Sequence, residues 1–284
     1  MHKIVAKEQL SADVYKMVFK AEAIAEARKA GQFLILQLDS NFGERIPLTI
    51  ADADPEAGTI TIIFQAVGKT TLNLAAKDVG ESIQNVLGPL GRPTHIANVG
   101  TVVCVGGGIG VAPMHPIVQA YKAAGNRVIT IMGARNHELL ILEEEMKAHS
   151  DELIVCTDDG SYGRKALVTE PLKELCEAGV PNEVVGIGPP IMMKFVAETT
   201  RPFGVHTVVS LNTIMVDGTG MCGGCRVSVG GETKFVCVDG PEFDGHLVDF
   251  DNMMLRLKAY KKQEQHAAEN CKAVKSAPQG SAAS

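Results

Sequence analysis

Asp217, Cys222, Cys225 and Cys237 are the residues whose types and spacing most directly imply chemistry. They stand in Asp217-Gly-Thr-Gly-Met-Cys222-Gly-Gly-Cys225, and eleven residues then separate Cys225 from Cys237. A Cys-x-x-Cys pair can hold one metal centre, and a third thiolate from a nearby strand can close it. The fourth position carries a carboxylate where a thiolate is expected. Glycines 218, 220, 223 and 224 let the backbone wrap closely round such a centre. Zinc is the plainest metal, but structural zinc sites normally use Cys and His alone, and His206 and His246 are not at ligand spacing. A redox dithiol usually sits at a thioredoxin-type strand–helix junction, which is absent here. A 2Fe–2S centre of plant type uses Cys-x4-Cys-x2-Cys…Cys. Asp217 to Cys222 is x4 and Cys222 to Cys225 is x2, so the register holds if Asp217 takes the first position.

Three further stretches can bind phosphates and rings. Arg45-Ile-Pro47-Leu48-Thr49, at the end of a strand, offers a guanidinium fork for a diphosphate and a hydroxyl for a flavin ring, with Pro47 restricting the backbone beside them. A lone strand arginine is otherwise a solvated edge residue. Gly68-Lys69-Thr70-Thr71 offers N–H groups and hydroxyls to a phosphate at a helix start, or forms an ordinary N-cap. It lacks the upstream glycine of a P-loop. Val103 to Pro113 runs a strand through Gly106, Gly107, Gly108 and Gly110 into a helix beginning near Pro113. That arrangement suits a pyrophosphate, although Val111 stands where the dinucleotide fingerprint has its third glycine.

Three loops follow later strands: Gly133-Ala-Arg135-Asn136, Thr157-Asp158-Asp159-Gly-Ser-Tyr-Gly163 and Gly186-Ile-Gly188-Pro189-Pro190. Each is a plausible turn alone. Together, at the carboxyl ends of strands in an open α/β sheet, they would line one crevice. Arg135 suits a 2′-phosphate and a carboxylate there would select NAD, so both NAD(H) and NADP(H) stay open.

The elements that position these groups fall into segments. Residues 1–98 read as a small antiparallel barrel, with strand-like runs at Val14–Phe19, Phe33–Leu38, Ile60–Phe64 and Ser82–Val86 between turn signals such as Asn41-Phe42-Gly43. Residues 99–212 read as five strands separated by four helices, as in a doubly wound parallel sheet. Residues 213–262 hold the cysteine module, with a hairpin from Arg226 to Val238 turning at Gly230-Gly231, and a C-terminal helix; 263–284 reads as a disordered tail. The fold class expected is thus a β barrel plus α/β, with a small metal module. Net charge is −6 and tryptophan is absent, which disfavours nucleic acid. Neither a signal peptide nor an 18-residue apolar run is present, so no membrane span is expected. Seven cysteines, an odd number with none before Cys104, imply a reducing, cytoplasmic setting. Cys104, Cys156 and Cys176 read as core residues and Cys271 as a free tail thiol.

The combination resembles the ferredoxin–NADP⁺ reductase superfamily over about residues 1–260, in the branch of the dihydroorotate dehydrogenase electron-transfer subunit. The resemblance implies that Arg45, Pro47, Leu48, Thr49 and Gly68–Thr71 bind FAD, and that Gly106 to Pro113 bind the nicotinamide dinucleotide. It further implies that Asp217, Cys222, Cys225 and Cys237 bind a 2Fe–2S cluster. Two positions depart from that branch: Asp217 replaces the first cysteine, and Ile187 replaces a cysteine often found near the nicotinamide, so no catalytic side chain is assigned and Thr49 is the flavin-side candidate. Asp plus three Cys is similar to the small subunits of NADH-dependent reduced ferredoxin:NADP⁺ oxidoreductases. Those imply a heterodimer with a large flavin- and 4Fe–4S-containing subunit, and electron bifurcation involving ferredoxin. The electron-transfer subunit of a dihydroorotate or other dehydrogenase, and a non-catalytic zinc-stabilised module, are the competing expectations.

Overall fold

The computed structural model of the chain describes residues 1–39 and 43–276, with backbone alone for 272–276. The expected turn at Asn41-Phe42 and the low-complexity end 277–284 lie outside the described residues. The first sheet contains β1 (His2–Gln9), β2 (Val14–Lys20), β3 (Phe33–Gln37), β4 (Arg45–Asp54), β5 (Thr59–Gln65), β6 (Ser82–Ile83) and β7 (Asn85–Leu90). They run antiparallel in the order β6-β1-β2-β5-β4-β3-β7. Two short helices, α1 (Glu22–Ala27) and α2 (Lys69–Ala75), cover it. Alternating residues of β2 and β5, among them Met17, Phe19, Ile60 and Ile62, bury against Leu34, Leu36 and Leu74. β1 escapes the sequence pattern because only Ile4 among its residues is buried. Arg45 begins β4 rather than ending a strand.

The second sheet contains β8 (Thr101–Gly107), β9 (Arg127–Ala134), β10 (Glu152–Thr157), β11 (Arg164–Lys165), β12 (Glu183–Ile187) and β13 (His206–Ser210), all parallel. Its order, β11-β10-β9-β8-β12-β13, reverses direction between β8 and β12. That reversal opens a crevice at the carboxyl ends of β8 and β12. Helices α3 (Val111–Ala123), α4 (Glu143–His149), α5 (Thr169–Glu177) and α6 (Pro190–Thr200) flank the sheet. α3 begins two residues before Pro113, which still falls in the first turn, where a missing N–H costs nothing. α4 begins later than periodicity predicts, because Ile141 and Leu142 are buried and Leu142 takes a left-handed φ of 59°.

The cysteine module follows β13. β14 (Arg226–Val229) and β15 (Glu232–Phe235) form the expected Gly-Gly hairpin. The second strand stops at Phe235, and Cys237 lies in a single helical turn, α7 (Val236–Asp239), not on a strand. Strand alternation would turn one of Val236 and Cys237 outward, yet both are buried, and Asp239 accepts the Phe235 N–H at 2.7 Å to close the turn. The chain then returns as β16 (Glu242–Asp244), antiparallel to β13 at the edge of the second sheet. α8 (Phe250–Leu257) packs on α6, and α9 (Lys261–Ser276) reaches α2. The expected disordered tail is therefore helical as far as Ser276; Cys271 sits on that helix, its Sγ 3.3 Å from Asn73 Oδ1. Cys104, Cys156 and Cys176 are core residues, and burial raises each thiol.

Glu242 ties the three segments together. It keeps some exposed surface, but its carboxyl lies deep among protein atoms, where Thr94 Oγ1 donates to Oε1 at 2.6 Å. Burial, and to a lesser degree the nearby Glu183, push this carboxyl up to about 7, against the opposing Thr94 bond. A raised carboxyl contributes fully below the ordinary value of 4.5 and its contribution is gone once pH rises through about 7. At 1.36 kcal/mol per pKa unit, that is roughly 3 kcal/mol. Glu242→Gln is expected to flatten the stability–pH curve over this window, measured by chemical denaturation at about pH 5 and about pH 8. An unchanged slope would place the carboxyl outside the buried junction.

Candidate functional site

A cavity of about 1150 Å³ lies between the two sheets at the reversal of strand order. Pro47, Leu48 and Thr49 of β4 and Thr71 of α2 line one side. Gly107, Gly108, Gly110 and Pro113 line the other, with Arg135, Asp158, Gly188 and Pro189 from the later loops. Residues more than a hundred positions apart thus converge as the sequence suggests. The volume exceeds the usual 300–1,000 Å³ of a single drug-sized ligand site.

The glycines have distinct jobs. A Cβ on Gly110 would lie 2.4 Å from the Ile187 carbonyl oxygen, and one on Gly107 would lie 2.4 Å from Met192 Sδ. Both let the β8–α3 turn press against the loop after β12. Gly108 is needed for its backbone, with φ of +54° and open space at its Cβ. Thr71 Oγ1 accepts the Gly68 N–H at 3.0 Å and so closes the start of α2.

Other candidates fall elsewhere. Arg45 lines a separate pocket of about 360 Å³ beside Gln37 and Asn85. Thr70 donates to the Glu44 carboxylate, and Gly68 is the N-cap of α2 with Lys69 following it. Gly106 packs under Met114, and the Asp159 carboxylate accepts the Ser161 N–H at 2.9 Å within its own turn. None of these lines the large cavity. Residues that do, without a sequence signal, include Asp13, Gln65 and Phe195. Asn212 and Thr213 also line it; they follow the carboxyl end of β13, where the rule that marked the other loops would have found them.

The metal candidates pair two by two. Cys225 and Cys237 are buried with their sulfurs 3.3 Å apart. Asp217 accepts the Thr219 N–H at 2.9 Å and the Cys222 N–H at 2.6 Å, which sets it beside Cys222. These bonds, Thr219 first, hold the Asp217 carboxyl below the usual carboxylate range. Among the described residues no three His, Cys, Asp or Glu side chains converge on one point. Two pairs suit a two-iron centre, in which each iron takes two protein ligands, better than a single tetrahedral ion. Backbone N–H groups also approach sulfur: Gly224 to Cys222 at 3.4 Å and Cys237 to Cys225 at 3.5 Å. Burial first, then Cys225, push the Cys237 thiol up to about 12, so metal must displace its proton. Donor set and N–H wrap both fit a 2Fe–2S cluster.

The cavity and the thiol pair share one apolar body. Phe33 and Met215 line the cavity and cluster with Cys225, Cys237, Leu211 and Val236. Gly218, beside Asp217, seats against Ile35 of β3, where a Cβ would come within 2.8 Å. Ile35 pairs with Pro47 and Phe33 with Thr49 on β4. One strand spacing, about 4.8 Å, therefore separates the strand under the metal loop from the strand lining the cavity.

Residues 212–249 match the family model described as the iron–sulfur cluster binding domain of dihydroorotate dehydrogenase B. The chain is 47% identical to a Thermotoga maritima protein named dihydroorotate dehydrogenase B (NAD(+)), electron transfer subunit homolog, over 93% of each chain. It is 45% identical to a chain of a solved NADH-dependent reduced ferredoxin–NADP oxidoreductase structure described for flavin-based electron bifurcation, with a TM-score of 0.90, covering 95% of this chain and 97% of that one. A ferredoxin NADP⁺ reductase from Neisseria gonorrhoeae with bound FAD and NADP aligns at 18% identity over 72% of this chain and 90% of that one, with a TM-score of 0.56, and shares the fold.

Proposed function

We propose, from the premise that this chain belongs to the family of dihydroorotate dehydrogenase B electron-transfer subunits and their homologues, that its cavity couples a nicotinamide to a metal-borne electron path. It is a flavin- and iron–sulfur-containing oxidoreductase subunit of the ferredoxin–NADP⁺ reductase type, acting within a larger complex. Bound here, FAD supplies hydride exchange with NAD(P)(H) and release of single electrons, and a 2Fe–2S cluster carries those electrons onward. The observation that carries this reading is the continuity of the cavity wall with the buried Cys225–Cys237 pair.

The chain's own residues supply place and exclusion. Pro47, Leu48, Thr49 and Thr71 would form the flavin wall, with Thr49 the candidate hydroxyl for the ring. Gly107, Gly108, Gly110, Pro113, Gly188 and Pro189 would form the opposite wall for the dinucleotide, and Arg135 and Asp158 line the same cavity. Leu48, Ile63 and Phe64, lining one side, and Ile187, Ile191 and Met192, lining the other, give the space between an apolar lining. Asp217, Cys222, Cys225 and Cys237 hold the cluster. The division into 1–98, 99–212 and 213–262 is supported by the two sheets and the hairpin module, with β16 returning to the second sheet.

The partner is a large subunit bearing flavin and 4Fe–4S centres, and the heterodimer works in the cytoplasm on nicotinamides and ferredoxin. Support comes from the similarity to the bifurcating oxidoreductase, and among the described residues no helix is long and apolar enough to cross a membrane. A second reading, a dihydroorotate or other dehydrogenase as partner, is favoured by the matched iron–sulfur model. The large subunit that copurifies separates the two. Anaerobically purified protein is expected to show flavin and 2Fe–2S absorbance with iron and no zinc; a colourless zinc protein would end the electron-transfer reading.

Asp217 gives a sharper test. A carboxylate oxygen is a harder ligand than thiolate and favours ferric iron. Asp217→Cys is expected to keep a cluster of altered potential in a redox titration. An unshifted potential would mean that Asp217 only closes its turn through Thr219 and Cys222.

A further inference from the structure

The cavity contains two side-chain oxygens that the reading above leaves unused. Asp13 Oδ1 and Thr213 Oγ1 are both buried and without a hydrogen-bond partner among the described residues, and both residues line the cavity. A threonine hydroxyl can rotate toward a backbone carbonyl. A carboxylate oxygen can only accept, and leaving it buried and unmet is the costlier case. Asp13 therefore points more strongly to a ligand.

Its placement is fixed from two strands. The other carboxylate oxygen, Oδ2, accepts from Gln65 Nε2 at 2.8 Å, and the Asp13 carbonyl accepts the Ala66 N–H at 2.7 Å. Val14, the next residue, pairs with Gln65 and packs with Ile63 in the apolar cluster that also holds Val111 and Met114 of α3. Asp13 thus stands on the barrel side of the seam and lines the same space as Ile109, Gly110 and Pro113, with its Oδ1 covered by the wall. An anionic acceptor at that place repels phosphate and takes hydroxyl donors. The sugars of the cofactors supply such donors.

Resting on the function proposed above, we propose that Asp13 is a dinucleotide-binding residue contributed by the barrel. A turn of its carboxylate toward the cavity lets Oδ1 accept a ribose hydroxyl of the nicotinamide dinucleotide whose pyrophosphate lies at the β8–α3 turn. Gln65 is the positioning residue that holds the carboxylate in that orientation. The two domains then grip the dinucleotide from both sides, and affinity for it depends on the barrel as well as on the glycine turn.

The test uses the complex as purified, with its flavin and iron, and NADH as the probe. Asp13→Ala is expected to weaken NADH binding, and to raise its KM, by ~10-fold or more, the worth of one hydrogen bond to a charged group. The flavin-to-protein ratio, iron content, kcat and thermal midpoint should stay as in the parent. Gln65→Ala, which keeps the carboxylate but frees it, should raise the KM by a smaller factor and leave kcat alone. The ribityl hydroxyls of FAD are the other source of the same chemistry. Loss of flavin from Asp13→Ala with unchanged NADH affinity in the flavin-bearing fraction would assign the oxygen to FAD and overturn the proposal. Unchanged NADH affinity with full flavin would overturn it too. If Asp13→Ala does not fold, an unmoved KM in Gln65→Ala overturns it alone. A parent complex that binds neither NADH nor NADPH overturns the functional reading itself, which separates that failure from this one.

Discussion

Gly110→Ala is expected to give a protein that keeps its flavin but no longer takes up NADH. The cause is space, not backbone conformation, since Gly110 has a φ of −62° that alanine adopts freely. An added Cβ would lie 2.4 Å from the Ile187 oxygen, 2.7 Å from Gly188 Cα and 2.8 Å from the Ile187 carbonyl carbon. All three are backbone atoms, so no side chain can swing aside. Either the β8–α3 turn or the loop after β12 must move, and both line the cavity. Overpacking of this kind costs about 1–3 kcal/mol, which the domain can survive. The crevice cannot, because its width is set by the contact that the methyl group breaks. Gly108→Ala is the control. Its Cβ meets nothing within 4 Å, and its φ of +54° carries only the left-handed penalty of about 1–2 kcal/mol. Thermal denaturation should rank the two as similar, so that loss of NADH uptake by Gly110→Ala is not a loss of fold. Undiminished binding by Gly110→Ala would mean that the dinucleotide lies away from the turn.

What could be foreseen follows from what kind of interaction each residue makes. The parallel sheet was legible because its strands are continuous apolar runs and its loops carry glycine at the carboxyl ends, and those loops do gather in one crevice. Pro47 and Thr49 were legible as a restricted backbone and a hydroxyl in one strand, and Leu48 through the resemblance to ferredoxin–NADP⁺ reductases. β1 was not, since one buried isoleucine in a charged strand leaves no alternation to read. Cys237 was expected on a strand because Thr233 to Val238 looks extended; the cap from Asp239 and the burial of two neighbours turn it into helix. The later turns of α9 were hidden by a composition that also suits a solvated tail. Arg45 illustrates a different limit. Its residue type suits a diphosphate, but a strand face is decided by pairing, and in β4 it opposes Gln37 beside the smaller pocket. Asp13 shows the same limit in reverse. Nothing around it in sequence marks it, because its meaning comes from Gln65, which is fifty-two positions away.

Cys225→Ser is expected to split the protein's two activities. Cys225 is 1% exposed, and its sulfur lies 3.3 Å from that of Cys237 and accepts the Cys237 N–H at 3.5 Å. A serine oxygen at that place keeps its proton near neutral pH and cannot bridge the longer reach of a thiolate. Loss of even an outer partner of a metal ligand costs roughly 10–100-fold in metal affinity, so loss of the ligand should cost at least as much. Iron per flavin should therefore fall to near background. The module should nevertheless stay folded, because Val227, Val229, Val236 and Phe250 bury against Met193, Val209 and Leu211 without help from iron. Most of the cavity wall comes from β4, α2, the β8–α3 turn and the loop after β12, none of which contains a cluster ligand, although Leu211 and Met215, which pack with the thiol pair, also line it. NADH should still bind and still bleach the flavin, while delivery of single electrons to the partner subunit should stop. Cys222→Ser, at an exposed position, should remove the cluster with less disturbance of the module core than Cys225→Ser. Iron content, flavin bleaching by NADH and electron delivery, measured on the same preparation, decide the matter. Full iron in Cys225→Ser would show that the buried pair is a packing contact and that the cluster, if present, is held elsewhere. Loss of NADH bleaching together with iron would show that the cavity depends on the metal loop, through Gly218 and Ile35, more than its own walls suggest.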